Sequence, residues 1–280
     1  QWRDAPYKPS INIIETAERI FSGHEVREIS HSTASNLTAT VDAVVDVVRA
    51  AQNRRGRVAC FVTGVPGASK TLAGLSAVHD PVLRENNRPA AVFLSGNGPL
   101  VRIVRAALAR DVKKRRRDAR DSGRQVSTFI QNVHNFLGHY AFQSVGDIPP
   151  EHVVIFDEAQ RAWDGKQMHA KKRGAKSEAE IMLEIMERCS DWAVIVALVG
   201  FGQEIHQGEA GLQEWGKALK RRAGVWSVVA SPVVLDAHEN EQGVQLLDAG
   251  LPDHIDIYSE ARLRLTTSVR SLRAKMVSEW

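Results

Sequence analysis

Only two of the 280 residues are cysteine, Cys60 and Cys189, and they make no CxxC pair. That argues against a disulfide scaffold and a zinc finger. Aromatic residues are sparse, at 6%. The longest strongly apolar run covers 192–201, far short of the roughly 20 residues a bilayer span needs. The opening residues lack the basic-then-apolar order of a signal peptide. Together these absences point away from membrane and secreted classes, and the cytoplasm is the expected location. The ten histidines show no HExxH and no other ligand spacing. His134 and His139 lie five apart on a segment that reads as helical, and read as core or surface residues.

What is present is an ordinary globular balance, 43% hydrophobic and 25% charged. The length fits one large domain or two small ones at about 150 residues each. The chain begins with Gln1, not Met, and ends at Trp280 inside a helical pattern, so a fragment of a longer protein is expected.

The charge is local. Eight bases and three acids lie within 110–124, a net +5 against +4 for the whole chain. The run Lys113, Lys114, Arg115, Arg116, Arg117 has two readings. Clustered cations release counterions from a nucleic-acid backbone; alternatively, such a run is a solvated loop or helix extension. A second basic stretch, over 166–176, carries Lys171, Lys172, Arg173 and Lys176 and is read with the same caution. No aromatic residue is interleaved with either run, so a base-stacking platform is not indicated.

Along the chain, strands alternate with helices. A short helix is plausible over 11–21. Leu37, Val41, Val44, Val45 and Val48 recur at helical spacing behind possible caps at Ser35 and Asn36. Buried strands are expected over 58–63, 90–94, 153–156, 193–199 and 225–229, with a sixth over 263–267. Helices are expected over 70–78, 100–108, 129–142, 179–189 and 212–219. Cys60 reads as buried core, and Trp192, Trp215 and Trp226 as core anchors. Continuous apolar strands separated by helices imply an α/β fold, a mostly parallel sheet of five or six strands with helices on both faces. The expected division is a helical extension over 1–55 and the α/β domain over 56–280.

The loop after the first strand reads Gly64-Val65-Pro66-Gly67-Ala68-Ser69-Lys70-Thr71, followed by Leu72. It is nearly the phosphate-binding P-loop pattern G-x-x-x-x-G-K-[ST], or Walker A motif. Backbone N–H groups at a helix start converge on phosphates, and the helix dipole adds to them. Lys70 would reach the β- and γ-phosphates of ATP, and the Thr71 hydroxyl would bind Mg²⁺. One position departs from the pattern: Ser69 stands where glycine precedes the lysine, and its side chain must fit where normally nothing stands.

The third strand ends in Asp157-Glu158-Ala159-Gln160-Arg161, in the manner of a Walker B strand. Asp157 would hold Mg²⁺ and Glu158 would take the proton of the attacking water. A parallel sheet brings this turn and the P-loop to one edge. Gln203 follows the fourth strand, where it can sense the γ-phosphate. Arg270 follows the last strand, where it can stabilise transition-state charge. After the second strand, Ser95 and Asn97 in Ser95-Gly96-Asn97-Gly98 read either as a nucleic-acid phosphate contact or as an ordinary turn.

These motifs resemble known families. Val199-Gly200-Phe201-Gly202-Gln203 is similar to the helicase superfamily 1 motif after the fourth core strand, one residue shorter and without its Asp. The stretch from Leu265 to Ser271 is similar to the L-x-x-N-Y-R-S motif, with Ser268 and Val269 replacing Asn and Tyr. More closely, GVPGASKT (64–71), FLSGNGPL (93–100), FIQNVHNF (129–136), IFDEAQRAW (155–163) and GQEIHQGEAGLQEWGKAL (202–219) resemble the bacterial Schlafen-group-3-like DNA/RNA helicase domain family. The resemblance implies a RecA-like P-loop NTPase lobe, with ATP and Mg²⁺ as ligands and DNA or RNA as partner. It also implies a second RecA-like lobe, in a longer chain or a partner protein, since superfamily 1 motors hold ATP between two lobes.

The main expectation is therefore the ATP-binding and ATP-hydrolysing lobe of a nucleic-acid-dependent motor. The alternative is a degenerate P-loop scaffold that binds nucleic acid or a partner protein without efficient hydrolysis, motivated by Ser69. A small-molecule kinase is disfavoured, because the acid-rich turn after the third strand is a hydrolase feature.

Overall fold

The computed structural model describes residues 31–65, 70–85, 88–115, 129–171, 173–200, 211–236, 246 and 255–266. The helix expected over 11–21 lies outside them, as do Pro66, Gly67, Ala68, Ser69, Arg116, Arg117, Gln203 and Arg270. Among the described residues no helix is long and apolar enough to cross a membrane.

The elements follow the alternating pattern. In chain order they begin with α1 (His31–Arg54), β1 (Arg57–Gly64) and α2 (Lys70–Val78). A small antiparallel pair comes next, β2 (Arg84–Glu85) with β3 (Arg88–Pro89). Then come β4 (Ala91–Ser95), α3 (Gly98–Arg115), β5 (Ile130–Asn132), α4 (Val133–Gly138), β6 (Val153–Asp157), α5 (Gly165–Ala170), α6 (Glu178–Met186) and β7 (Ala193–Val199). The last are α7 (Gly211–Lys220), β8 (Trp226–Ala230), α8 (Pro232–Leu235), β9 (Ile257–Ser259) and β10 (Arg264–Leu265).

The main sheet has eight strands, ordered β5-β4-β6-β7-β1-β8-β9, with β10 beside the end of β1. Every pairing in it is parallel. This is the expected α/β architecture, consistent with a RecA-like fold, but with two more strands than the upper expectation. Strand β1 is the axis. β7 flanks it on one side along Arg57–Thr63. The other side is shared, with β8 pairing as far as Phe61 and β10 pairing at Thr63 and Gly64.

Successive side chains along a strand point to opposite faces, and here both faces are covered. On one face Ala59, Phe61, Leu94, Phe156 and Ala197 pack against α4, α6 and α7. On the other Val58, Cys60, Val62, Phe93 and Ile155 pack against α1, α2 and α3. That is why the strands read as unbroken apolar runs. Cys60 is fully buried, and Trp192, Trp215 and Trp226 are 7%, 0% and 2% exposed, so all four sit in the core as expected.

Two local readings are corrected. Ser35 and Asn36 do not cap α1, which starts earlier, at His31. Asn36 instead bridges to β10, its amide donating to the Arg264 carbonyl at 3.2 Å and its Oδ1 accepting the Thr266 N–H at 2.9 Å. The helix expected over 129–142 begins with a strand: Ile130, Gln131 and Asn132 pair with β4, and only then does α4 start, capped by the Asn132 side chain. Strands β5 and β9 account for the difference in strand number.

Helix α2 lies unusually close to the sheet because residue 74 is glycine. A Cβ there would meet Leu198 Cδ1 at 2.7 Å, Phe93 Cε2 at 2.8 Å and Ile155 Cγ2 at 3.0 Å. All three side chains are themselves buried, so making room for a Cβ means repacking the core. Gly74→Ala is therefore expected to destabilise the fold by about 1–3 kcal/mol, the range for overpacking, despite the better helix propensity of alanine. Thermal denaturation at neutral pH reads this directly; an unchanged or raised Tm would contradict the close packing of α2.

Candidate functional site

The carboxyl ends of β1, β6, β7 and β4 meet at one edge, where ligands bind in open α/β sheets. β1 delivers Gly64 and Val65, and α2 opens at Lys70 and Thr71. β6 delivers Asp157 and Glu158, β4 delivers Ser95, and β7 delivers Gly200.

Lys70 is buried, and its Nζ donates to the Gly64 carbonyl at 3.0 Å, folding the lysine back over the start of its own loop. Burial pulls its ammonium below the ordinary lysine value, while the Glu158 and Asp157 carboxylates pull the other way. Thr71, 86 residues before Asp157, donates its hydroxyl to Asp157 Oδ1 at 3.1 Å. Ser95 donates to Asp157 Oδ2 at 3.3 Å. Asp157 is only 3% exposed. Its burial, reinforced by the Glu158 charge, pushes its carboxyl up to about 7, against the opposing pull of Thr71, Ser95 and Lys70.

This donor set fits a divalent cation. A hydroxyl and a carboxylate face each other, both are hard oxygen ligands, and the carboxylate lacks full compensation of its buried charge. Among the described residues no group of three His, Cys, Asp or Glu forms a metal cage. The pair Thr71 and Asp157 is thus the arrangement that could hold Mg²⁺ alongside a nucleotide's phosphates.

Glu158 is one of two described non-glycine residues at positive φ (54°, with ψ 45°). The left-handed region costs an L-residue about 1–2 kcal/mol, and such outliers collect at functional sites. Here neighbours hold it. Gln160 donates from Nε2 to Glu158 Oε2 at 2.5 Å, and its Oε1 accepts the Gly200 N–H at 2.9 Å. Gln160 is 1% exposed. Trp215 on α7 donates its indole N–H to the Ala159 carbonyl at 2.9 Å and packs edge-on against Phe61 and Phe156. The turn after β6 is therefore fastened to β7 by Gln160 and to α7 by Trp215.

Gly200 sits between the two halves. A Cβ there would lie 3.1 Å from Lys70 Nζ and 3.3 Å from Gln160 Nε2. Sequence reading singled out neither Gln160 nor Gly200 for a role. In the sequence both figure only as members of motifs, Gln160 within 157–161 and Gly200 within 199–203, without a task of their own.

Residues 57–280 match the family described as Schlafen group 3, DNA/RNA helicase domain. The chain belongs to that family. No curated protein matches the chain. Membership makes this a nucleic-acid-related, NTPase-like domain.

Within this Schlafen group 3 domain the remaining candidates fall in different places. Leu72 is on α2 and its side chain packs into the core. Val65 is exposed, and its N–H donates to the Leu265 carbonyl at 3.2 Å, which ties the start of the loop to β10. Ser95 is 1% exposed and turned inward onto Asp157. Asn97 accepts the Leu100 N–H at 3.1 Å, as a cap of α3. Lys113, Lys114 and Arg115 form the end of α3, far along the chain from its cap.

The titration of Asp157 gives a test. Its pKa is raised above the unfolded value, so the unliganded fold is least penalised at acid pH and loses stability as pH rises toward and through about 7. Asp157→Asn removes that buried charge. In chelator, the variant is expected to melt several degrees above the parent at pH 8, with the gap closing by pH 4. Equal melting at pH 8 would show that the carboxylate carries no such penalty.

Proposed function

We propose that residues 56–280 form the ATP-binding and ATP-hydrolysing lobe of a superfamily 1-like, nucleic-acid-dependent motor, with 1–55 as an N-terminal helical extension. It works with Mg²⁺ in the cytoplasm, on DNA or RNA, and with a second RecA-like lobe from a longer chain or a partner protein. The single observation that carries this reading is the meeting of Thr71 with Asp157 at 3.1 Å beside buried Lys70. Three groups suited to phosphates and a cation come to one sheet edge from two segments, the start of α2 and the end of β6.

In this reading the backbone of Gly64, Val65, Pro66, Gly67, Ala68, Ser69 and Lys70 cradles the phosphates, with the N–H groups opening α2, through Thr71 and Leu72, adding to it. Lys70 leaves the Gly64 carbonyl to neutralise phosphate charge. Thr71 and Asp157 would hold Mg²⁺, which when bound neutralises charge on the phosphates. Glu158 accepts the proton of the attacking water. Gln160 is a positioning residue that sets the Glu158 carboxylate. Gln203 and Arg270 sense the γ-phosphate. The basic run from Lys113 to Arg117 contacts the strand's phosphates, and Ser95 and Asn97 shape the turn between it and Asp157.

Calorimetry with ATP, with and without Mg²⁺, tests the reading on the 280-residue chain. Mg²⁺-dependent binding is expected, and Lys70→Ala is expected to abolish it; unchanged affinity in that variant would sink the proposal. Ser69 favours one rival, a P-loop scaffold without efficient hydrolysis. A large gain in affinity on Ser69→Gly would support that rival.

The role of Gln160 is separable. Gln160→Met keeps the side-chain volume but removes both hydrogen bonds. Steady-state kinetics should show kcat reduced about tenfold or more, as for loss of a placed general base, with KM for ATP within about twofold. A rise in KM at constant kcat would instead place Gln160 in nucleotide binding.

A further inference from the structure

Of the described tryptophans, Trp163 alone is not buried. It follows the Asp157 turn on the same sheet edge as the nucleotide residues. Its ring is stacked on that of His134, with centroids 4.2 Å apart and planes at 29°. His134 comes from two residues beyond β5, the outer strand next to β4.

One buried carboxylate builds this pair. Glu178, 1% exposed, places Oε1 2.8 Å from His134 Nδ1, and its Oε2 accepts the Trp163 backbone N–H at 3.0 Å. Both of its oxygens are thus committed, and it fixes the two rings relative to each other. The His134 side chain remains 24% exposed.

Two cations sit over the same tryptophan. Lys171 Nζ lies 5.9 Å from the ring centroid and Arg173 Cζ 6.0 Å. Arg173 also donates to the His134 carbonyl at 3.2 Å, which ties the basic loop to the stack. Among the described residues neither cation is ion-paired with a carboxylate, whereas Lys176 further along the loop is paired with Glu184 at 2.5 Å. The loop itself is pinned: Asp164 caps α5 through the Gln167 N–H at 2.6 Å, and a Cβ on Gly165 would fall 2.2 Å from the Ala175 carbonyl oxygen. The basic stretch has no Phe, Tyr or Trp of its own, and the fold brings Trp163, from just before it, and the His134 ring beside its cations.

We propose that His134, Trp163, Lys171 and Arg173 form a contact for single-stranded nucleic acid. Lys171 and Arg173 take strand phosphates, and one base extends the His134–Trp163 stack. The proposal rests on the nucleic-acid half of the function given above. Planar rings with adjacent unmatched cations suit a ligand that alternates flat bases with anionic phosphates. A paired duplex keeps its bases stacked inside and offers no face to the rings, so a single strand is the fitting occupant. The contact stands five residues beyond Glu158 along one short turn, so the strand and the proposed general base share a support.

Fluorescence anisotropy on the 280-residue chain, with labelled oligothymidylate, oligouridylate and a duplex of equal length, tests the contact. Single strands are expected to bind more tightly than duplex. Lys171→Glu should weaken single-strand binding by about tenfold and lower the salt slope by roughly one, while Lys171→Arg stays within about twofold. Arg49→Glu makes the same charge change on exposed α1 and should have little effect. Trp163→Leu should weaken binding where Trp163→Phe largely preserves it. Lys171 is exposed, so its variants remain informative if a Trp163 variant fails to fold.

The proposal is overturned if the parent chain binds no strand at low salt. It is equally overturned if Lys171→Glu matches Arg49→Glu, or if polyphosphate or polyglutamate competes as well as the oligonucleotides. ATP calorimetry on the same proteins separates the two readings. Loss of strand binding in Lys171→Glu without any ATP binding in the parent leaves the contact standing and removes the nucleotide site. ATP binding with strand affinity indifferent to both Lys171→Glu and Trp163→Leu does the reverse.

Discussion

A parallel sheet buried on both faces leaves its polar chemistry only one place to go. Side chains of β1, β6 and β7 are committed to the two cores, so groups that must meet water or a ligand can stand only where the strands end. The rest of the molecule follows from that constraint. Lys70 opens α2, Asp157 is the last residue of β6, and Glu158 and Gly200 are the first residues after β6 and β7. Trp163 and His134 lie a few residues further on, along the same edge.

The site depends on what is missing as much as on what is there. β7 runs between β1 and β6, so its end would separate Lys70 from Gln160 if it carried a side chain. Glycine at 200 lets the lysine and the amide approach across it, and its N–H holds Gln160 in return. The same logic applies beneath α2, where Gly74 brings the helix that carries Lys70 and Thr71 down onto the sheet. Two glycines thus set the depth and width of the edge on which the charged groups meet.

Much of this was legible in the sequence, for physical reasons. Five of the strands are apolar on both sides and stand out as continuous runs. The P-loop pattern and the acid pair were readable because each sits at the end of such a run. What was hidden depends on pairing at a distance. Ile130-Gln131-Asn132 is too short to show a strand period and flows straight into α4, so it read as helix. β9 has the exposed, mixed character of an edge strand, with Tyr258 turned to solvent. Asn36 looked like a helix cap because asparagine favours that role, yet its partner lies 228 residues away. The basic loop seemed to lack aromatic company because contiguity was the only test available; Trp163 precedes the loop and His134 comes from beyond another strand.

Helix α1 stands outside the residues that match the family, which begin at 57, yet its apolar side shares one core with β1, α2 and α3. Leu37, Val44, Val48 and Ala51 cover strand residues that no other described helix reaches as fully, and Thr40 closes the join by donating to the Arg262 carbonyl at 2.7 Å. The shared ancestry and the unit that excludes water therefore have different edges. Relatives that carry a different segment ahead of the common core must solve the same problem of roofing β1 and β7. The composition of that leading helix should then drift in sequence while its oily stripe, its length and its tilt stay bound to the strands below.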